Sequence, residues 1–139
     1  MAKKRIWLIK SEPDVYSFDD LIKDKQTAWT GVRNYAARNN MREMKLGDEL
    51  FYYHSNIGKA IVGIAKVVKE AYQDPSSDDP NWVCVDVSGM KKLKKEVSLN
   101  DVKAHPGLAN MDLVRLGRLS VQAVRKEEYD EIIKMSNEK

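Results

Sequence analysis

Ala60-Ile61-Val62-Gly63-Ile64-Ala65-Lys66-Val67-Val68 is the stretch on which the fold turns. Its almost continuous apolarity lacks the alternation of a half-buried strand and predicts a central strand covered on both faces. Gly63 inside it marks either a bulge or the close approach of another group. Upstream, Glu49 to His54 reads as a strand that runs into the polar loop Ser55-Asn56-Ile57-Gly58. Downstream, Gln73 to Pro80 carries three acids and two prolines and reads as a solvated, poorly ordered loop, far from any phosphate. Trp82 to Val87 follows, with Val83, Val85 and Val87 on one side and Trp82, Cys84 and Asp86 on the other.

The flanks complete the pattern. Arg5 to Lys10 is a buried strand ended by Ser11-Glu12-Pro13-Asp14. Ser17 is an N-cap with Asp20 at the capping-box position, opening a short helix that ends near Lys25. Thr27 to Thr30 is a brief strand or turn, and a helix spans about Asn34 to Lys45. At 100° per residue its Arg38, Arg42 and Lys45 share one face, while Ala37, Met41 and Met44 share another. Lys91-Lys92-Leu93-Lys94-Lys95 reads first as a solvated edge that discourages strand pairing, and second as a nucleic-acid contact. Ser98 to Lys103 is a short helix, His105-Pro106-Gly107 a turn, and Asn110 to Leu116 a helical turn or two. Arg118 to Val124 is the last strand, with Leu119, Val121 and Ala123 inward and Arg118, Ser120 and Gln122 outward. Glu127 to Met135 closes the chain as a helix. Five to six strands in mostly sequential, antiparallel-looking order with short helices predict one α+β domain, residues 1–139, with a curved or barrel-like sheet.

Composition excludes several classes. With 32% charged and 42% hydrophobic residues the chain is neither disordered nor membrane-spanning in character. A net charge of +3 means that a polyanion would be met by a local patch. Cys84 is the single cysteine, so neither an intramolecular disulfide nor a multi-cysteine metal site is available, which fits a reducing compartment. The basic start Met1-Ala2-Lys3-Lys4-Arg5 is followed by too short an apolar run for a signal sequence. A cytoplasmic monomer is expected, nuclear if eukaryotic, with no membrane partner.

Trp29-Thr30-Gly31-Val32-Arg33-Asn34-Tyr35-Ala36-Ala37-Arg38-Asn39 carries the chemistry. A large aromatic precedes a Gly-permitted turn, and Arg33, Tyr35, Arg38 and Asn39 follow within two turns. That supplies a stacking surface, guanidinium forks and an amide for a nucleobase on its phosphate backbone. A core tryptophan, a turn and an ordinary amphipathic helix would read the same way. Catalytic signatures are scarce: there is no P-loop, no G-x-G-x-x-G, no nucleophile elbow, and two histidines without metal-site spacing. His54 beside Ser55 and Asn56 serves either a ligand or the fold, and a pairing with Cys84 or Ser55 would be the only nucleophilic arrangement on offer. No cofactor and no metal are implied.

Four motifs in order carry a resemblance. Trp7-Leu8-Ile9-Lys10-Ser11-Glu12-Pro13, Trp29 through Tyr35 with Arg38-Asn39, Phe51 through Asn56 with Val62-Gly63-Ile64-Ala65, and Arg118-Leu119-Ser120-Val121 together resemble the EVE domain family over essentially the whole chain. The resemblance implies a PUA-like pseudo-barrel with flanking helices, related to YTH domains. It also implies a non-enzymatic reader of a modified base, above all modified cytosine in DNA, with RNA as the other substrate. On that likeness Lys10 and Ser11 match the strand-end pair that approaches the base, and Trp29 matches the first wall of the aromatic cage. Asn34 and Tyr35 belong to the second motif, Tyr53, His54, Ser55 and Asn56 form the pocket rim, and Arg118 and Ser120 lie on the last strand's motif. Arg33, Arg38 and Arg42 would hold phosphates. Two departures predict a rim of different shape: Ile57-Gly58-Lys59 lacks the family's prolines, and Leu116-Gly117 replaces a polar pair. The alternatives are an ASCH-like hydrolase of modified nucleosides, using Lys10 or His54, and a protein-interaction module.

Overall fold

A computed structural model describes residues 5–137, so the reading of Met1 to Lys4 lies outside the described residues. The predicted central strand is β4, Ala60–Gln73, which lies between β3, Glu49–His54, and β5, Val83–Ser98, and is antiparallel to both. Residues 60–65 are all buried, as continuous apolarity requires. Both readings of Gly63 hold. The β4–β5 register shifts between Ile61 and Gly63, and a Cβ at Gly63 would run into the Phe18 ring. The missing side chain is what lets that ring lie on the sheet.

The remaining strands are β1, Ile6–Ser11, β2, Gln26–Ala28, and β6, Val121–Val124. The sheet order is β2-β5-β4-β3-β1-β6, with β2 and β6 as its edges. It is α+β and PUA-like in character, but the sheet is open rather than closed. Four of the five strand pairs are antiparallel, as expected, but the expected sequential order needs correction: β1 pairs with β3, and in parallel, and β2 crosses to the far edge beside β5. Non-local pairing of this kind leaves no local mark on the sequence.

Alternation along the strands divides the core. Trp7, Ile9, Leu50 and Tyr52 face one side, where α1, Phe18–Asp24, and α2, Tyr35–Glu43, supply Phe18, Leu21, Ala37 and Met41. Leu8, Phe51, Tyr53 and Ile64 face the other, covered from α3, Leu99–Ala104, α4, Asp112–Arg115, and α5, Lys126–Asn137. A 3-10 turn, Pro106–Leu108, stands where the His-Pro-Gly turn was expected. The capping box is present: Ser17 Oγ accepts from Asp20 N at 3.0 Å, and Asp20 Oδ2 accepts from Ser17 N at 2.9 Å.

Four details differ from expectation. The lysine run lies within the long β5, where Lys91 and Lys92 stand opposite Ile64 and Gly63; the lysines are exposed and Leu93 is buried. Cys84 is buried, as its place between two valines suggests, but together with Val83, Val85 and Val87 it leaves this strand covered on both faces there rather than half-buried. The last strand starts at Val121, leaving Arg118 and Ser120 in the preceding turn, and Gln122 is fully buried rather than outward. Asp74, at the head of the acidic loop, is also fully buried. No helix among the described residues is long and apolar enough to cross a membrane.

Candidate nucleic-acid interface

Parallel pairing brings the ends of β1 and β3 side by side, with Lys10 opposite Tyr53 and Ser11 opposite His54. Consecutive residues on a strand point to opposite faces, so the two strand-end pairs separate. Ser11 and His54 belong to the α1 side, and Lys10 and Tyr53 to the other. Lys10 therefore leaves the position the resemblance gave it. Its Nζ donates to Gly117 O at 2.6 Å and lies 5.6 Å from the centre of the buried Tyr53 ring. Burial lowers the pKa of this ammonium and raises that of the Tyr53 hydroxyl.

On the Ser11 side a cleft of about 280 Å³ opens, lined by Ser11, Val15, Tyr16, Thr27, Trp29 and Thr30. Trp29 extends the edge pairing of β2, its N–H donating to Val85 O at 2.8 Å. The indole is half-buried and meets Tyr52 edge-on at 5.6 Å and Tyr16 at 6.4 Å. Trp29 therefore packs on the core and also lines the cleft. Tyr52 Oη donates to Tyr16 O at 2.6 Å, which fixes the loop beyond β1. The Tyr16 hydroxyl donates to Asp24 Oδ2 at 2.8 Å. Burial first, and that bond second, push its pKa up to about 12.

His54 is spent on the fold. Its Nε2 accepts from Phe18 N at 3.0 Å, taking one of the orphan N–H groups at the start of α1. Burial lowers its pKa, so the neutral ring that this bond requires is the favoured form. Ser55 N donates to Ser11 O, and Asn56 beyond it takes a left-handed φ of 68° in the exposed loop. Ser55 and Asn56 thus belong to the loop beside the cleft and are not among its lining.

The stretch after Trp29 is held by an unexpected residue. Asp74 accepts from Gly31 N at 2.7 Å, Arg33 Nη1 at 3.1 Å, Ser76 N at 2.7 Å and Ser76 Oγ at 2.6 Å. Burial is the largest single influence on this carboxyl and pushes its pKa up. The four donors outweigh burial together and hold the pKa at about 2. Arg33 is therefore a latch between the turn and the acidic loop, not a free phosphate grip. The loop looked solvated because acids and prolines ordinarily are; only the backbone N–H groups around Gly31, invisible in composition, call for a buried anion.

Asn34 is the N-cap of α2, accepting from Ala37 N at 2.9 Å, and Arg33 lies before the helix. Tyr35 is 68% exposed and stacks on Trp82 at 5.4 Å, with the Arg38 guanidinium 4.9 Å from the Tyr35 ring centre and 5.2 Å from that of Trp82. Trp82 was not among the expected site residues, and no local signal ties it to Tyr35. Arg38 also donates to Asn39 Oδ1, and Arg42 donates to Asn81 O. Ser120 contributes its carbonyl to Lys10 N, and Arg118 lies with Asn34 along a second depression. Among the described residues no cluster of His, Cys, Asp and Glu is arranged to hold a metal.

Comparison with known proteins gives a consistent set of relatives. The family model of the EVE domain matches residues 5–135. Thymocyte nuclear protein 1 of Mus musculus is 43% identical over an alignment that covers 93% of this chain and 72% of the mouse protein. An NMR structure of a Rhodopseudomonas palustris protein is 49% identical, with a TM-score of 0.91 and coverage of 95% of this chain and 92% of that one. The crystal structure of human THYN1 protein in complex with 5-methylcytosine-containing DNA is 37% identical, with a TM-score of 0.91 and coverage of 98% and 99%.

Proposed function

The chain belongs to the EVE domain family, and on that premise we propose that it reads modified cytosine in DNA without catalysing a reaction on it. The observation that carries the reading is Trp29, held half-buried and edge-on to Tyr16 and Tyr52 with the rest of its surface on the cleft. About 280 Å³ lies at the small end of the range for ligand sites and suits one base rather than a whole nucleotide. A flipped or unpaired pyrimidine against that indole would gain about 1–3 kcal/mol from stacking. Ser11, Thr27 and Thr30 line the cleft with hydroxyls that can read the base edge.

The human relative whose crystal structure holds 5-methylcytosine-containing DNA supports the choice of base and of DNA. Two placements support a binding rather than a hydrolytic role. The His54 lone pair is given to Phe18 N, and the Lys10 ammonium turns to Gly117 O on the face away from Ser11. The chain acts, on this reading, wherever DNA is, the cytoplasm of a bacterium or a eukaryotic nucleus.

A methyl group adds only about 0.8 kcal/mol on burial, so selectivity depends on how well Val15 and Tyr16 keep water from the cleft. The test is equilibrium binding to matched oligonucleotides carrying cytosine or 5-methylcytosine. Wild type should prefer the methylated strand about fourfold or more, and Trp29→Ala should remove the preference while keeping salt-dependent binding. Equal preference in both proteins would defeat the reading.

A further inference from the structure

A second depression, of about 400 Å³, lies between the start of α2 and the turn that precedes β6. Asn34 and Ala36 form one bank, and Arg115, Leu116, Arg118 and Leu119 the other. Its surface is mostly apolar, and Leu116 leaves 44% of itself exposed there. No acidic side chain is among the described residues that line it. Arg118 is exposed and has no ion pair among the described residues, while Arg115 has only a loose contact with Asp112 at 3.5 Å. A partly exposed pair of that kind holds its arginine weakly.

The turn itself is fixed. Gln122, fully buried on β6, donates from Nε2 to the carbonyls of Leu119 at 2.9 Å, Leu116 at 3.2 Å and Asp112 at 3.4 Å. Lys10 adds its bond to Gly117 O. Gln122 stands opposite Leu8 in the sheet, where an apolar side chain would pack without the desolvation of a carboxamide whose Oε1 is left without a partner. This strand position therefore serves the turn. Lys10 anchors the turn while its neighbour Ser11 lines the cleft, and three residues separate Thr30 in the cleft from Asn34 in the groove.

We propose that this groove holds the sugar–phosphate backbone of the strand beside the read base, with Arg115 and Arg118 on phosphates and the sugar on Leu116 and Leu119. Gln122 is the positioning residue for the turn. An apolar floor flanked by two available guanidiniums, with no acid in its lining, complements a chain that alternates a sugar with an anion. The inference rests on the base-reading proposal for its location, since the groove is assigned to the strand that the cleft engages.

The experiment is a salt titration of binding to 5-methylcytosine and cytosine oligonucleotides by wild type, Arg115→Ala/Arg118→Ala, Gln122→Leu and Trp29→Ala. Each phosphate contact contributes about 0.9 to the slope of log affinity against log salt on duplex, and about 0.7 on a single strand. The double arginine variant should lose about 1.8 or about 1.4 of slope with the methyl preference kept. Gln122→Leu should lose part of the same slope, its folding checked by thermal melting, and the arginine pair decides alone if it unfolds. An unchanged slope in the double variant overturns the groove assignment, including the case in which an acidic peptide binds there instead. Absence of methyl preference in wild type would defeat the base reading, whereas the slope would still judge the groove.

Discussion

The two ends of β1 carry the same ingredients, an aromatic cluster and a buried carboxylate, and use them in opposite ways. At its start Trp7 is fully buried and its indole N–H donates to Asp48 Oδ2 at 3.0 Å. The same carboxylate accepts from Arg5 N and Lys45 N, and the Arg5 guanidinium covers the indole at 4.3 Å. At its finish Trp29 is only half-covered, and Asp74 secures the backbone beyond it rather than its ring. One end is closed over its tryptophan; the other is braced from behind so that its tryptophan can stay open. A carboxylate that fixes this turn thus takes no surface from the cleft, because the indole is left out of its network.

Replacing the two tryptophans separates the ends most widely. Trp7→Ala should cost about 3–5 kcal/mol in urea unfolding, the usual loss for a buried aromatic, with Asp48 deprived of a donor besides. Trp29→Ala should cost clearly less in the same assay yet abolish the methyl preference. Comparable losses from both would erase the distinction between a structural and a binding tryptophan.

The carboxylates sharpen the contrast at a lower level. Asp74→Asn should destabilise by about 2–3 kcal/mol, because three backbone and side-chain donors and the Arg33 guanidinium lose a charged acceptor. The wild-type protein carries the matching acid signature. With the folded pKa of Asp74 held at about 2, below its unfolded value, its stabilisation is complete above about pH 4. It is lost as pH falls from there towards 2, by about 2 kcal/mol in all. Urea midpoints between pH 2 and 5 should show this slope in wild type and a shallower one in Asp74→Asn.

Smaller again is the cap of the helix that stands behind the open end. Ser17→Ala should cost about 1 kcal/mol by thermal melting, since the Asp20 N–H loses its acceptor. The least effect belongs to His54. Its pKa is lowered in the folded chain, so the unfolded chain takes up the proton first, and stability should decline as pH drops below about 6.5. His54→Gln should flatten that decline; an unchanged profile would mean that the titration of another group sets it.

The parts of the fold that repeat a local period were legible in the chain. Ala60 to Ala65, the Ser17 cap and the Ala37–Met41 face of α2 follow from side chains within a turn or two of one another. The parallel β1–β3 pairing and the placement of β2 were not, because backbone hydrogen bonds between distant strands are indifferent to side-chain identity. Much the same division runs through the site. Trp29 and Ser11 meet in one cleft, as the family resemblance implied, but Lys10 is turned away by the pleat, and Arg33 and Asn34 are consumed by neighbours. Gln122 and Asp74 read as outward because polar residues mostly are; the carbonyls and N–H groups that draw them inward belong to other segments.

The place of β1 between β3 and β6 also sets a schedule for making this protein. Ile6 finds its β6 partner only at Val124, so 118 residues must emerge before that ladder closes. At about 5–20 residues per second, Trp7, Leu8 and Ile9 wait about 6–24 s for that neighbour. A nascent chain in which β1 has β3 on one side and an open edge on the other is a substrate for holdases and a nucleus for aggregation, and slower codons ahead of Val121 would lengthen the exposure. Arrested synthesis just before β6 should yield chains captured by chaperone, and synthesis resumed through β6 should free them.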